Sequence, residues 1–155
     1  MRNQLLERLF PGLRGTNYEI TSPSTANYNC IAWAANDVSK MWWPGVYYWP
    51  DGMPPEDSTE AFVRTFCDCF GYERCERGDL EIEYEKLAIY ADGGRTKHMA
   101  RQLIDGRWTS KLGSERDISH VLSGLEGADY GNVVQFLRRK IAAPGPLLGL
   151  GAFAT

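Results

Sequence analysis

Residues 84–113 read YEKLAIYADGGRTKHMARQLIDGRWTSKLG, and how this stretch folds decides the architecture. Three strand-like runs, 84–92, 96–104 and 107–113, are joined by a Gly-Gly pair and an Asp-Gly pair, residue types that tolerate the positive φ of tight hairpin turns. The pattern predicts a three-stranded antiparallel meander. Its second turn admits two registers. A two-residue loop at Asp105 and Gly106 pairs Ile104 with Arg107 and sets His98 on one face with Thr109 and Lys111. A three-residue loop over 104–106, a type I turn followed by a left-handed glycine, pairs Leu103 with Arg107 and Ala100 with Ser110. Gly106 suits the left-handed position. The second register is therefore expected, with Ser110 on the His98 face and diagonal to it.

Working outward from the meander, a helix is predicted over 58–70. Asp57 with Glu60 resembles a capping box, Phe62, Phe66 and Cys69 form an apolar stripe, and Gly71 is a natural residue to end it. Ahead of it, residues 41–57 carry five aromatics and four prolines, too many prolines for a regular element, and predict a long ordered loop. From Cys30 to about residue 40, Ile31, Ala34, Ala35 and Val38 mark one face of a helix with Asn27 or Asn29 as its cap. Residues 1–9 form a brief amphipathic helix stopped at Pro11 and Gly12. Downstream, DYGNVVQFLRRK predicts one more strand before a Gly/Pro-rich apolar tail over 141–155. The expected fold is a single α+β domain over 1–140, with N-terminal helices packed on a C-terminal antiparallel sheet.

Composition narrows the function classes. At 155 residues, 43% hydrophobic, 24% charged and with a net charge of −3, the chain has no basic excess to attract nucleic acid or an anionic membrane. No run approaches the roughly 20 apolar residues of a membrane span, and residues 1–15 are too charged for a secretory leader, so a cytoplasmic protein is expected. In that setting Cys30, Cys67, Cys69 and Cys75 read as thiols and not as a disulfide framework. Cys67 and Cys69 stand one residue apart on a predicted helix and point to different faces, which argues against zinc. No metal or other cofactor is implied.

Cys30 lies in NYNCIAWAA, residues 27–35, at the predicted start of a helix. A thiol becomes a nucleophile when its pKa is lowered and a proton acceptor is at hand; a helix N-terminus and a histidine supply these. The chain has two histidines, His98 and His120. His98 sits inside a strand, on a face shared with Ala100 and Gln102, and is the expected base. His120, with Asp117 three residues before it, is a candidate third member, with a helix cap or surface residue as its plainer role. Asn27 or Asn29 can join the Cys30 backbone N–H in an oxyanion site. Trp42, Trp43 and Trp49 offer one wall of a substrate groove; their plainer role is a lid packed on the core. Cysteine is itself among the most buried residue types, so a purely structural Cys30 is the alternative to be weighed.

A cysteine at a helix start, a histidine on a central strand and a following strand ending in SKLG together resemble the papain-like cysteine peptidases and amidases, which include the bacterial NlpC-type cell-wall peptidases. WTSKLG, residues 108–113, is similar to the Asn-Ser-Trp-Gly segment whose asparagine orients the catalytic histidine. The blocks NYNCIAWA, EKLAIYA, HMARQL and WTSKLG also resemble an uncharacterised bacterial domain family. The resemblance covers about residues 27–139. It implies a papain-like fold with Cys30 as nucleophile, His98 as general base and Ser110 in the orienting position, where serine departs from the usual amide.

Two function classes follow. One is a cysteine hydrolase acting on an amide or peptide bond in a bacterial peptide, a cell-wall stem peptide or a protein tail. The other is a catalytically inactive papain-like domain that binds a peptide or protein partner through the aromatic loop. A domain without any site is the third outcome, favoured if Cys30 is buried away from both histidines.

Overall fold

Gly93 and Gly94 take φ values of +59° and +79°, so the first hairpin turns as its sequence requires and pairs Asp92 with Arg95. The second hairpin has the three-residue loop. Gly106 is at φ +92°, and the Leu103 N–H donates to the Arg107 carbonyl across 2.7 Å. The computed structural model describes residues 2–112 and 116–141 as an α+β fold around one seven-stranded antiparallel sheet. The tail expected beyond residue 141 lies outside the described residues. In chain order the elements are α1 (Gln4–Leu9), β1 (Glu19–Ile20), α2 (Cys30–Ala34), α3 (Thr59–Phe70), β2 (Glu73–Cys75), β3 (Tyr84–Asp92), β4 (Arg95–Gln102), β5 (Trp108–Lys111), β6 (Asp117–His120) and β7 (Asn132–Lys140).

The sheet order is β1-β6-β5-β4-β3-β7-β2. The expected meander is its centre, β3-β4-β5, and the expected last strand is β7, paired along the free side of β3. Three strands add to the expected set. β1, β2 and β6 have two, three and four residues, too few to show an alternating pattern in sequence. Between β4 and β5 the ladder comprises only Gln102 with Trp108 and Arg101 with Thr109. Beyond it β4 continues against β3 and β5 against β6, so the two strands part at Ala100 and Ser110.

The predictions for α2 and α3 need correction at their ends. The helix at Cys30 stops at Ala34 because Asn36 turns left-handed at φ +64° and the Asp37 N–H bonds back to the Ala32 carbonyl. The Asp37 carboxylate then takes the Ser39 N–H and the Trp42 indole N–H, holding the chain off the helical path. Val38, expected on the buried face, is 56% exposed. The second helix starts one residue later than expected, capped by the Ser58 hydroxyl on the Ala61 N–H, while Asp57 pairs with Arg95. It ends at Gly71 in the left-handed conformation, as read. Phe62 and Phe66 are buried, but Cys69 is exposed.

Strand alternation gives the sheet two packed faces. Leu87, Ile89, Met99 and Leu137 meet α2 and α3 in one core. Ala88, Tyr90, Ala100, Trp108 and Ile118 meet Leu6, Phe10 and Leu13 in the other. Helices thus cover both faces, and the site lies where β4 and β5 part between them.

Candidate active site

The tautomer of every ring in the site can be read outward from one carbonyl. The Val121 carbonyl lies 2.8 Å from His120 Nδ1, which must donate to it. Neutral His120 then presents a lone pair at Nε2, 2.7 Å from Ser110 Oγ, so the serine donates. With its proton spent there, Ser110 Oγ accepts from His98 Nε2–H across 2.9 Å. His98 Nδ1 is left as a bare lone pair, and it is buried with no hydrogen-bond partner.

Burial first, then the charge of His120, hold the His98 imidazole well below its ordinary pKa. Burial likewise lowers His120 to about 4, against the pull of the Val121 carbonyl and with the help of Arg107. Both rings are therefore neutral at neutral pH, which the tautomer assignment requires. Sequence left Ser110 and His120 as rivals for the third position. The structure brings both to His98 in series, through the hairpin register that puts Ser110 on its face and the β5–β6 pairing of Trp108 with His120.

Cys30 opens α2, with Asn29 as the cap: Asn29 Oδ1 accepts from the Ala32 N–H at 3.1 Å. The same oxygen accepts from the Trp42 N–H, and Asn29 Nδ2 donates to the Trp42 carbonyl. Both bonds to the Asn29 oxygen and one of its two Nδ2 hydrogens are thus spent on Ala32 and Trp42, while Asn27 stands exposed two residues earlier. α2 packs on β4 and β5 where they part. Cys30 is buried and packs in the core that contains Met99. Burial pushes it up to about 11, although backbone N–H groups of Met99, Ile31 and Cys30 itself favour the thiolate. The expected lowering by the helix start is therefore overturned: a five-residue helix in a dry setting does not offset desolvation.

No hydrogen bond joins the thiol to the imidazole, since Ser110 takes Nε2 and Nδ1 is bare. The thiol stands by the backbone of Met99, and His98 is the residue before it on β4. The His98 ring packs with Tyr90 and Tyr130 on the other face. Tyr130 belongs to the same neighbourhood: burial and then the Cys30 charge push its phenol up. Sequence reading missed Tyr130, a loop residue with no strand or helix pattern to mark it.

Trp42, Trp43 and Trp49 turn inward. Trp42 is buried, with Tyr48 and Phe70 against its ring, and Trp43 and Trp49 both pack on Phe62 at 5.4 and 4.9 Å. They form a lid on α3 and not an open wall; the loop exposes Val46, Tyr47 and Tyr48 instead. The four cysteines are unpaired, and no cluster of three or more metal-ligating side chains occurs among the described residues. No helix among them is long and apolar enough to cross a membrane.

A family model described as a domain of unknown function (DUF7689) matches residues 19–138, a span that contains Cys30, His98, Ser110 and His120. Comparison with curated proteins and with solved structures gives no match.

Proposed function

We propose that this chain, which belongs to the DUF7689 family, is a papain-like cysteine hydrolase that cleaves an amide or peptide bond, with Cys30 as nucleophile and His98 as base. The observation that carries the reading is the bare Nδ1 of His98. A buried imidazole whose other nitrogen is locked by Ser110 and His120 is a base with its lone pair held ready, and leaving that nitrogen unpaired costs stability that a purely structural histidine has no reason to forgo. The start of α2 brings a thiol to the neighbouring residue of the same strand, where β4 and β5 have separated.

At rest both partners are neutral, so the proton moves only during attack. Cys30 Sγ bonds to the carbonyl carbon as its proton passes to His98 Nδ1, and the Cys30 backbone N–H faces the developing oxyanion. The imidazolium gives that proton to the leaving amine as the C–N bond breaks, leaving a thioester. Water, deprotonated by Nδ1, then releases the acid and restores the thiol. Ser110 and His120 orient the ring through the whole sequence.

An activated p-nitrophenyl ester tests this. One equivalent of nitrophenolate per chain, with the acyl mass on Cys30, is expected; Cys30→Ala abolishes it and His98→Ala slows it about 100-fold or more. Acyl mass spread over lysines with Cys30 unmodified overturns the reading. One observation favours the second reading, an inactive domain that holds a peptide or protein: the thiol is buried and stays protonated at neutral pH. Binding of peptide without acylation of Cys30 selects it.

A further inference from the structure

Residues 127–131 form a loop closed by reciprocal backbone bonds between Gly127 and Gly131, 2.9 and 2.8 Å long. Gly131 takes φ +72°, and a Cβ there would overlap the Ala91 carbonyl, so the loop is seated against the end of β3. This seat lays the Tyr130 ring face to face on the His98 imidazole, with centroids 4.1 Å apart and planes 5° from parallel. Phe10 backs Tyr130 at 5.0 Å, and Tyr90 stands at a steep angle to both rings.

The relay alone does not fix the imidazole. One bond to a rotatable hydroxyl restrains a single ring atom, and rotation about the last side-chain torsion of histidine is broad. A flat partner stacked on the ring removes that freedom. The titratable groups facing His98 are His120 across Ser110, Tyr90 from β3 and Tyr130 from the loop, with Glu126 and Asp129 acting on the two phenols.

We infer that Tyr130 is the positioning residue of His98: its ring sets the plane of the imidazole. The inference rests on the reading of His98 as the base. It gives the 127–131 loop, which lacks regular structure apart from its glycine bridge, a definite part in the site.

The test reads His98 directly, by long-range proton–nitrogen NMR of the histidine rings between pH 4 and 8, in the full chain. The native protein and Tyr130→Phe, which keeps the flat face, are expected to show one Nε2–H tautomer and a His98 that protonates only well below the ordinary imidazole range. Tyr130→Ala is expected to mix the tautomers, raise the titration midpoint of His98 by about one pH unit or more, and slow acylation of Cys30 by about ten-fold. Tyr130→Leu, which fills the volume without a planar ring, is expected to mix the tautomers too and decides the matter if the alanine variant does not fold. Native tautomer and titration in both variants overturn the inference. Because the NMR signals do not depend on turnover, the outcome stands even if Cys30 is never acylated; that second failure counts against the hydrolase alone.

Discussion

The Ser110 hydroxyl donates to His120 Nε2 across 2.7 Å, and this one bond sets the direction of the proton chain on its His98 side. Ser110→Ala removes it together with the bond to His98 and leaves two buried ring nitrogens unpaired. The expected cost is about 1–3 kcal/mol in urea denaturation, with a second His98 tautomer appearing by NMR. An unchanged midpoint and a single tautomer contradict the relay.

Stability falls on acidification because of the same histidines. Both have folded-state pKa values below the ordinary 6.5, His120 at about 4, so from pH 6.5 downward the unfolded chain binds protons that the folded chain refuses. Above 6.5 neither form is protonated and the two rings add no slope. Each histidine contributes about 1 kcal/mol per pH unit, and that of His120 levels off below about pH 4. Urea midpoints at pH 7, 6 and 5 measure this; His120→Gln should reduce the slope, and an identical slope in the variant removes His120 from the account.

Alkylation by iodoacetamide reports the standing thiolate and not the assisted one. Cys69 is exposed, whereas Cys30 is buried with its thiol raised to about 11, so mapping at pH 7.5 should show Cys69 labelled first and Cys30 last. In denaturant the difference disappears. Fast labelling of Cys30 in the folded chain would mean that the thiol is ionised and open.

Phe62 carries the indoles of both Trp43 and Trp49 and is itself fully buried. Phe62→Ala should cost about 3–5 kcal/mol and shift the tryptophan emission to the red as the lid loosens. A loss under about 1 kcal/mol would show that the aromatic loop closes on α3 without needing that ring.

The centre of the sheet and the His98–Ser110 pair at its heart were legible because turn chemistry is local. Gly93, Gly94 and Gly106 fixed two hairpins, and the register at Gly106 placed Ser110 beside His98. What escaped the sequence depends on long-range contact. β1, β2 and β6 are held by their neighbours and not by any pattern of their own. His120 joins the relay only because β6 pairs with β5, and Tyr130 reaches His98 from a loop. The thiol shows the sharpest difference: position at a helix start suggested a lowered pKa, but burial, which no local pattern reports, raised it. Val38 falls outside the buried face for a related reason, since the Asp37 carboxylate diverts the chain toward Ser39 and Trp42 before a second helical turn can form.

Asn29 ties two distant steps of folding together. A helix of five residues cannot nucleate by itself, and the cap that starts this one shares its oxygen with the N–H of Trp42. The first turn at Cys30 and the closure of the loop to Trp42 thus share one cap, so the surroundings of the thiol depend on both. During synthesis or refolding Cys30 passes through a period as an ordinary solvated thiol. A pulse of alkylating agent at that stage would capture it permanently, so the one buried cysteine of the four is open to modification only until the fold closes over it.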